Sequence, residues 1–377
     1  MSNDRRQHNS RIGQAYTQPS QGSRTLVLPV DPTAPDPAAI RQAAAVLQHG
    51  GLVAFPTETV YGLGANALDA GAVQGIFAAK GRPAYDPLIV HLAGPEALAD
   101  VVAEVLPLVE RLAARFWPGP LTLVLPRGPR IPLAVTAGGP TVAVRVPAHP
   151  VALALIRAAG FPIAAPSANR FGHLSPTQAA HVLDDLEGRI DVLLDGGPTP
   201  VGVESTVLSL VTPVPTILRP GGVSREALEA VLGRVEVLGR AFAVEDAIPS
   251  PGVLAQHYAP RARLTLYQGP RHAVLQAMCA AAARSAAAGQ RVGVLLAEGD
   301  IDVMPFSDVP VIIQAVDTTG DLEEAARQLF TALRALDRAE VTVILARDFG
   351  ARGLGLAIRD RLTRAAAGNV VYVTNET

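Results

Sequence analysis

The chain has a single cysteine, Cys279, so it can form neither an intramolecular disulfide nor a multi-cysteine metal site. Aromatic residues make up only 4%, so its cores must rest on Ala, Val, Leu and Ile. No apolar run reaches the ~18 residues of a membrane-spanning helix. The formal net charge of −2 argues against a uniformly basic nucleic-acid coat but leaves a local basic groove open. Several catalytic signatures are also missing. There is no GxxxxGK[ST] phosphate loop, no GxGxxG between a first strand and helix, no GxSxG elbow and no zinc-spaced cluster. Residues 1–24 contain no apolar stretch of the ~7–15 residues a secretory signal requires. Their Arg and Ser content faintly resembles a transit peptide, but nothing amphipathic organises it. A disordered tail on a cytoplasmic protein is expected.

What is present is ample core material. Hydrophobic residues are 49% of 377, which is too apolar for a disordered chain. At roughly 150 residues per domain, two or three domains are expected. The 32 basic residues include one lysine, Lys80, and the other 31 are arginine. That bias fits a GC-rich coding sequence, in which a lone lysine persists either by chance or because its compact ammonium is required.

Residues 25–236 alternate apolar strand-like runs with helices. Strands are predicted at 51–55, 121–126, 142–146, 162–166, 192–195, 204–210 and 215–219. Helices are predicted at 36–50, 69–80, 95–116 and 176–187. The first has Asp36 as N-cap, the third is broken or kinked by Pro107, and the fourth is opened by Ser175–Pro176. Residues 237–262, around SPGVLAQHYAP, read as an ordered linker. Residues 263–377 read as a second α/β unit. Its strands are predicted at 263–267, 291–296, 310–315, 341–346 and 370–373, and its helices at 271–288, 321–337 and 353–367. This alternation favours a mainly parallel sheet.

The chemistry-bearing residues sit at strand ends and turns. FPTETVYGLG at 55–64 crowds Thr57, Glu58, Thr59 and Tyr61 behind a buried strand. It is either a polar turn or a ligand loop. In KGRPAYDPLIVH at 80–91, Lys80 closes a helix and Gly81 suits its C-cap. A cation at a helix C-terminus is favourable without any function. Lys80 and Arg82 on a Pro-stiffened turn also suit a polyanion. On TVAVRV, period two places Thr141, Ala143 and Arg145 on one face. Arg145 there needs an anionic partner or water, and a structural salt bridge would serve. PSAN at 166–169 ends a strand and presents Ser167 and Asn169. GVESTV carries Ser205, and LRPGG puts Arg219 before a turn.

Together these strings resemble the YrdC-like threonylcarbamoyl-adenylate synthases in their long, two-domain form. The matching strings are FPTETVYGLGANAL, KGRP with PLIVH, TVAVRVP, PSAN, GVESTV, LRPG and PGVLAQHYAP. The resemblance spans residues 25–377 in order. It implies an open twisted α/β sheet with a concave cavity, followed by a smaller Rossmann-like α/β domain. It also implies a nucleotidyltransferase reaction: L-threonine, bicarbonate or CO2, and ATP give threonylcarbamoyl-AMP and pyrophosphate. The product would pass to a transferase complex that modifies the adenosine beside the anticodon of tRNA.

By motif position, the resemblance implies that Thr59, His91, Arg145 and Ser205 hold L-threonine. Lys80, Arg82, Asp86, Thr141, Ala165 (through its backbone), Ser167, Asn169, Ser175 and Arg219 would surround ATP. Lys80 and Arg82 would carry the catalysis, and Tyr258 would close the mouth as a lid. Magnesium would be held mainly by the phosphates. Asp86 departs from the family, where a neutral polar residue is common, and implies a magnesium contact or a solvent-facing side chain. AIRDRL at 357–362 departs from the usual asparagine-containing string and is expected to lie outside the site. A carbamoyltransferase using the same cavity, or an RNA-binding module, are the rival readings. Threonine-dependent ATP turnover separates them from the synthase.

Overall fold

A computed structural model describes residues 24–238, 258–303, 309–318 and 320–374. The expected tail at 1–23 and the linker between 239 and 257 lie outside the described residues. Among those described, 11 strands form one sheet. In spatial order they are Leu26–Pro29, Val192–Asp195, Val53–Phe55, Gly62–Asn66, Ile163–Ala164, Ile89–His91, Thr141–Arg145, Leu121–Pro126, Thr206–Ser209, Thr216–Arg219 and Glu236–Val237. The sheet is mixed. Thr141–Arg145 runs parallel to Ile89–His91 and antiparallel to Leu121–Pro126.

The second sheet has five strands, ordered Val311–Ala315, Val292–Leu296, Val343–Arg347, Arg263–Gln268 and Val370–Tyr372. All its pairings are parallel, as the alternation of strands with helices Arg271–Ala287, Leu322–Arg338 and Gly355–Ala365 predicts.

Period two decides where the first cavity forms. Val90, Leu123, Leu125, Val142, Val144 and Leu208 turn one face of the central strands into the main core. The opposite face carries Ile89, Val124, Ala143 and Val207 as a small apolar floor. His91 and Arg145 are partners in the ladder and share this second face with Ile89 and Ala143.

Several elements differ from expectation. The segment 95–116 is a 3-10 turn, Pro95–Asp100, and a separate helix, Pro107–Phe116. Pro107 starts that helix rather than kinking it, because its missing N–H costs nothing at the first position. The fourth helix begins at Ala179, not 176, and Ser175 is engaged elsewhere. Gly62–Asn66 is a strand that the glycines disguised. A Cβ at Gly64 would stand 2.7 Å from Phe55, so the strand needs glycine there to pack. Pro37–Gln48 follows expectation, with Asp36 accepting from the Ala38 and Ala39 amides.

The two sheets are joined by one continuous apolar cluster. Val60, Leu174 and Val203 of the first unit pack with Tyr258, Leu329, Phe330 and Ile358. Gly202, at φ 80°, lets its loop lie on helix Leu322–Arg338, where a Cβ would meet Arg327 backbone at 2.3 Å. Arg334 then spans the joint, donating to the Leu174 carbonyl and, at 2.9 Å, to Asp185.

Candidate active site

The cavity over the apolar floor is lined by the turn that follows Val53–Phe55 and by the ends of several strands. Thr57, Thr59, Val60, Gly62, Arg82, Ile89, His91, Arg145, Ala165 to Ser167, Glu204, Ser205, Arg219 and Tyr258 surround it. Its volume is about 50 Å³. That is well short of the ~300–1,000 Å³ typical of small-molecule pockets. Tyr258 is one of the walls and is 1% exposed, with φ 61°. A ligand larger than a few water-sized groups fits only if the walls rearrange.

Arg145 has the anionic partner its position demands. Nη2 donates to Glu58 Oε2 at 2.8 Å and Nη1 to Thr59 Oγ1 at 3.0 Å. Its Nε and Glu58 Oε1 are buried without a hydrogen-bond partner. The salt bridge and a ligand role therefore coexist: Glu58 fixes the guanidinium, and Nε stays available. His91 is buried, with Nδ1 3.2 Å from the Ile89 carbonyl. Burial first, and Arg145 second, push its pKa down to about 3. His91 is thus a neutral imidazole at physiological pH and can offer hydrogen bonds but no charge.

On the other side, Gly81 ends helix Ala70–Lys80 in the left-handed region, at φ 62°. Lys80 then points inward. Its Nζ donates to the Ser167 carbonyl at 2.5 Å and to the Asn169 carbonyl, tying the PSAN turn in place. Burial, and then the Arg82 guanidinium, pull its pKa well below the ordinary lysine value. Arg82 donates to the carbonyls of Asp86 and Pro87, at 3.0 and 2.8 Å, and pairs with the Asp86 carboxylate at 2.8 Å. Burial lowers its pKa despite that carboxylate.

Asp86 is fully buried, so the solvent-facing alternative is wrong. Four residues after Arg82, it is that arginine's counter-ion. Arg219 donates to the Ser205 carbonyl and hydroxyl at 3.0 and 3.2 Å, and Ser205 Oγ also meets Thr122 Oγ1 at 2.8 Å. The turn after Arg219 lies hard on the GVEST segment. A Cβ at Gly221 would fall 2.3 Å from the Glu204 carbonyl oxygen.

The structure thus brings Thr59, Arg82, His91, Arg145, Ala165, Ser167, Ser205, Arg219 and Tyr258 to one cavity. Lys80, Asp86, Thr141, Asn169 and Ser175 do not line it. Asn169 Nδ2 donates to the Arg170 and His173 carbonyls, leaving Oδ1 buried and unpaired. Thr141 is the half-buried first residue of its strand, paired with Pro126. The Ala165 amide is taken by the Ile89 carbonyl, so what it can offer a ligand is its own carbonyl.

The family models agree with this two-part architecture. The Sua5_yciO_yrdC model, described as "Telomere recombination", matches residues 45–221. The Sua5_C model, "Threonylcarbamoyl-AMP synthase, C-terminal domain", matches 223–367. A Pyrococcus abyssi threonylcarbamoyl-AMP synthase is 47% identical over 89% of this chain and 96% of its own length. The chain belongs to the threonylcarbamoyl-AMP synthase family. A Bacillus subtilis member is 46% identical over 88% of this chain and 94% of its own. The crystal structure of P. abyssi Sua5 complexed with L-threonine superposes with a TM-score of 0.87. It is 44% identical and covers 93% of this chain and 100% of that one.

Two residues at or behind this cavity escaped the motif reading. Glu204 lines the cavity and accepts from Ser175 Oγ and, at 2.6 Å, from Arg361 Nε. Arg361 comes from the second unit. Burial works to raise the Glu204 pKa, but Arg361 and Arg219 carry it below the usual carboxylate range. The signal was present: an acid inside an otherwise apolar buried string must have a cationic partner.

The donor set does not build a resident magnesium site. No group of three or more His, Cys, Asp or Glu side chains converges among the described residues. Glu58, Asp86 and Glu204 are each already paired with an arginine.

Proposed function

We propose that the protein is an L-threonylcarbamoyladenylate synthase that uses L-threonine, bicarbonate or CO2, and ATP. The observation that carries this reading is the convergence of Arg82, Arg145 and Arg219 with hydroxyls on one closable cavity. No side chain there is set up as a covalent nucleophile. Such a site binds anions and aligns them, which is what this chemistry needs.

The division of the site follows from the partners. Arg145 Nε, with Thr59, His91 and Ser205, takes L-threonine, its guanidinium facing the substrate carboxylate. Arg82, Arg219, Ser167, the Ala165 carbonyl and Tyr258 face the nucleotide. Lys80, Asp86, Thr141, Asn169 and Ser175 act from behind, by shaping the turns that carry those groups. The threonine amine attacks the carbon of CO2 and loses a proton, giving a carbamate; with bicarbonate, water is also released. A carbamate oxygen then attacks the α-phosphorus, the bond to the β-phosphate oxygen breaks, and pyrophosphate leaves. Arg82 balances the charge that develops there, and Lys80 holds the turn that presents Ser167 to it. Tyr258 closes the cavity and keeps water from the mixed anhydride. The product then serves threonylcarbamoyl modification of tRNA through a separate transferase.

The test is pyrophosphate release from ATP by the purified full chain, with and without L-threonine and bicarbonate. Release that needs both supports the synthase. Binding of ATP or RNA with no such release overturns it and moves the reading to carbamoyl transfer or RNA binding.

A further inference from the structure

The AIRDRL string lies in the second unit but reaches the site. Arg361, on helix Gly355–Ala365, is 1% exposed. Its Nε donates to Glu204 Oε2 at 2.6 Å. Its Nη1 donates to the Pro220 carbonyl at 3.0 Å and to Asp360 Oδ2 at 2.6 Å. Its guanidinium carbon stands 5.1 Å from the centroid of the Tyr258 ring, which also packs 5.8 Å from Phe330. Arg361 itself does not line the cavity. The residues it touches do: Glu204 and Tyr258 are both walls, and Pro220 follows the wall residue Arg219.

We propose that Arg361 is a positioning residue for the synthase reaction, through which the second unit holds both Glu204 and the Tyr258 cover in the closed arrangement. The inference rests on the proposed synthase function. A buried guanidinium is costly unless it is paired, and here Nε and Nη1 meet two carboxylates and a carbonyl while the face meets an aromatic ring; Nη2 is buried without a hydrogen-bond partner. A lysine could supply the charge for Glu204 but neither the second in-plane bond nor the stacked face. The cavity is too small to admit a nucleotide while Tyr258 lies over it. When Tyr258 lifts, the Glu204 and Pro220 bonds can persist, and the guanidinium marks the place to which the ring returns. Glu204 is held by Arg361 and Ser175. Asp360 shares the Arg361 charge and pairs with Arg364 at 2.9 Å, which links this cluster to the helix that carries it.

Three full-length variants test this. Arg361→Met leaves Glu204 buried beside no cation, so it is paired with Arg361→Met/Glu204→Gln, in which both charges are gone. Arg361→Lys keeps the charge alone. For each, kcat, the KM for threonine, the ATP dissociation rate and the single-turnover ratio of AMP to threonylcarbamoyl-AMP are measured below the unfolding midpoint. AMP reports hydrolysis of the mixed anhydride by water entering an imperfectly closed cavity. In the double variant, kcat is expected to fall at least about tenfold, with the threonine KM within about twofold, faster ATP release and a raised AMP ratio. Arg361→Lys is expected to fall between the double variant and the parent. A double variant and a lysine variant that match the parent in kcat, ATP release and AMP ratio would overturn the proposal, even with lowered melting temperatures. If the parent itself makes no threonylcarbamoyl-AMP, it is the synthase reading that fails. In that case ATP release still tests whether Arg361 holds the cover.

Discussion

The central strands of the 11-stranded sheet bury their two faces differently, whereas those of the five-stranded sheet bury both alike. Val292–Leu296 is buried at every position and Val343–Arg347 at four of five, under helices on either side. Thr141–Arg145 is also almost wholly buried, yet one face packs in the core and the other ends in Arg145 at the cavity. Burial alone therefore does not separate structure from site. The separating feature is a buried ion pair with one member in the cavity wall. Glu58–Arg145 and Glu204–Arg361 are such pairs. Asp300, a buried acid of the second unit, is instead held by Arg271 and Arg347 of that same unit.

The largest effect should come from breaking the first pair. Arg145→Leu is expected to lower kcat/KM for threonine by ~10²–10³-fold, the range for loss of a preorganised charged donor. It should also destabilise the fold by ~3–5 kcal/mol, because Glu58 is left buried and uncompensated. Adding Glu58→Gln should restore most of the stability and none of the turnover. If it restores both, Arg145 is only half of a structural ion pair. Lys80→Arg comes next, at about 10²-fold in pyrophosphate release, a size typical of small misplacements near the chemistry. The ammonium sits between two carbonyls where a guanidinium is too large, at ~1–3 kcal/mol of overpacking. Normal pyrophosphate release by this variant at saturating ATP and threonine would sink the role given to Lys80.

The ordered strings FPTET, KGRP, TVAVRV, PSAN, GVESTV and LRPG were readable because each joins a strand end to residues with unusual chemistry. The all-parallel second sheet was readable because strand and helix alternate cleanly there. Gly62–Asn66 was not, since two glycines lower strand propensity and the reason for Gly64 is the Phe55 ring on the neighbouring strand. Arg361 was not, because nothing local distinguishes it among 31 arginines; its partner is 157 positions away. Asp86 was read as a ligand or a surface group because the Arg82 pairing at i,i+4 is made by a turn, where helix spacing rules do not apply.

The five-stranded sheet supplies the contrasting experiment. Leu296 is fully buried in a cluster around Tyr267, Met278 and Leu345, with no cavity residue in it. Leu296→Ala should cost ~2–5 kcal/mol of stability. Below its unfolding midpoint, kcat and the threonine KM should equal the parent's. A changed KM would mean that packing on the far side of the second sheet reaches the site, and the comparison between the two sheets would lose its sharpness.

The smallest effect separates the sheets by pH. His91, fully buried on the cavity face, has its pKa pushed down to about 3. Its folded form therefore stays neutral where the unfolded chain, near 6.5, takes up a proton. The unfolded state then binds more protons below pH 6.5, so stability falls as pH drops toward 3 and is fully present above 6.5. His149 and His181, lowered to about 4, act in the same direction. All three belong to the first unit, while His272 of the second is exposed. Urea unfolding at several pH values between about 4.5 and 6.5 isolates this term, because carboxylates titrate mainly below it. His91→Gln should flatten the dependence of stability on pH there by up to about 1.4 kcal/mol per pH unit. Parallel lines for parent and variant would mean that His91 is protonated in the folded state, and the cavity face would then carry a further positive charge toward its substrate.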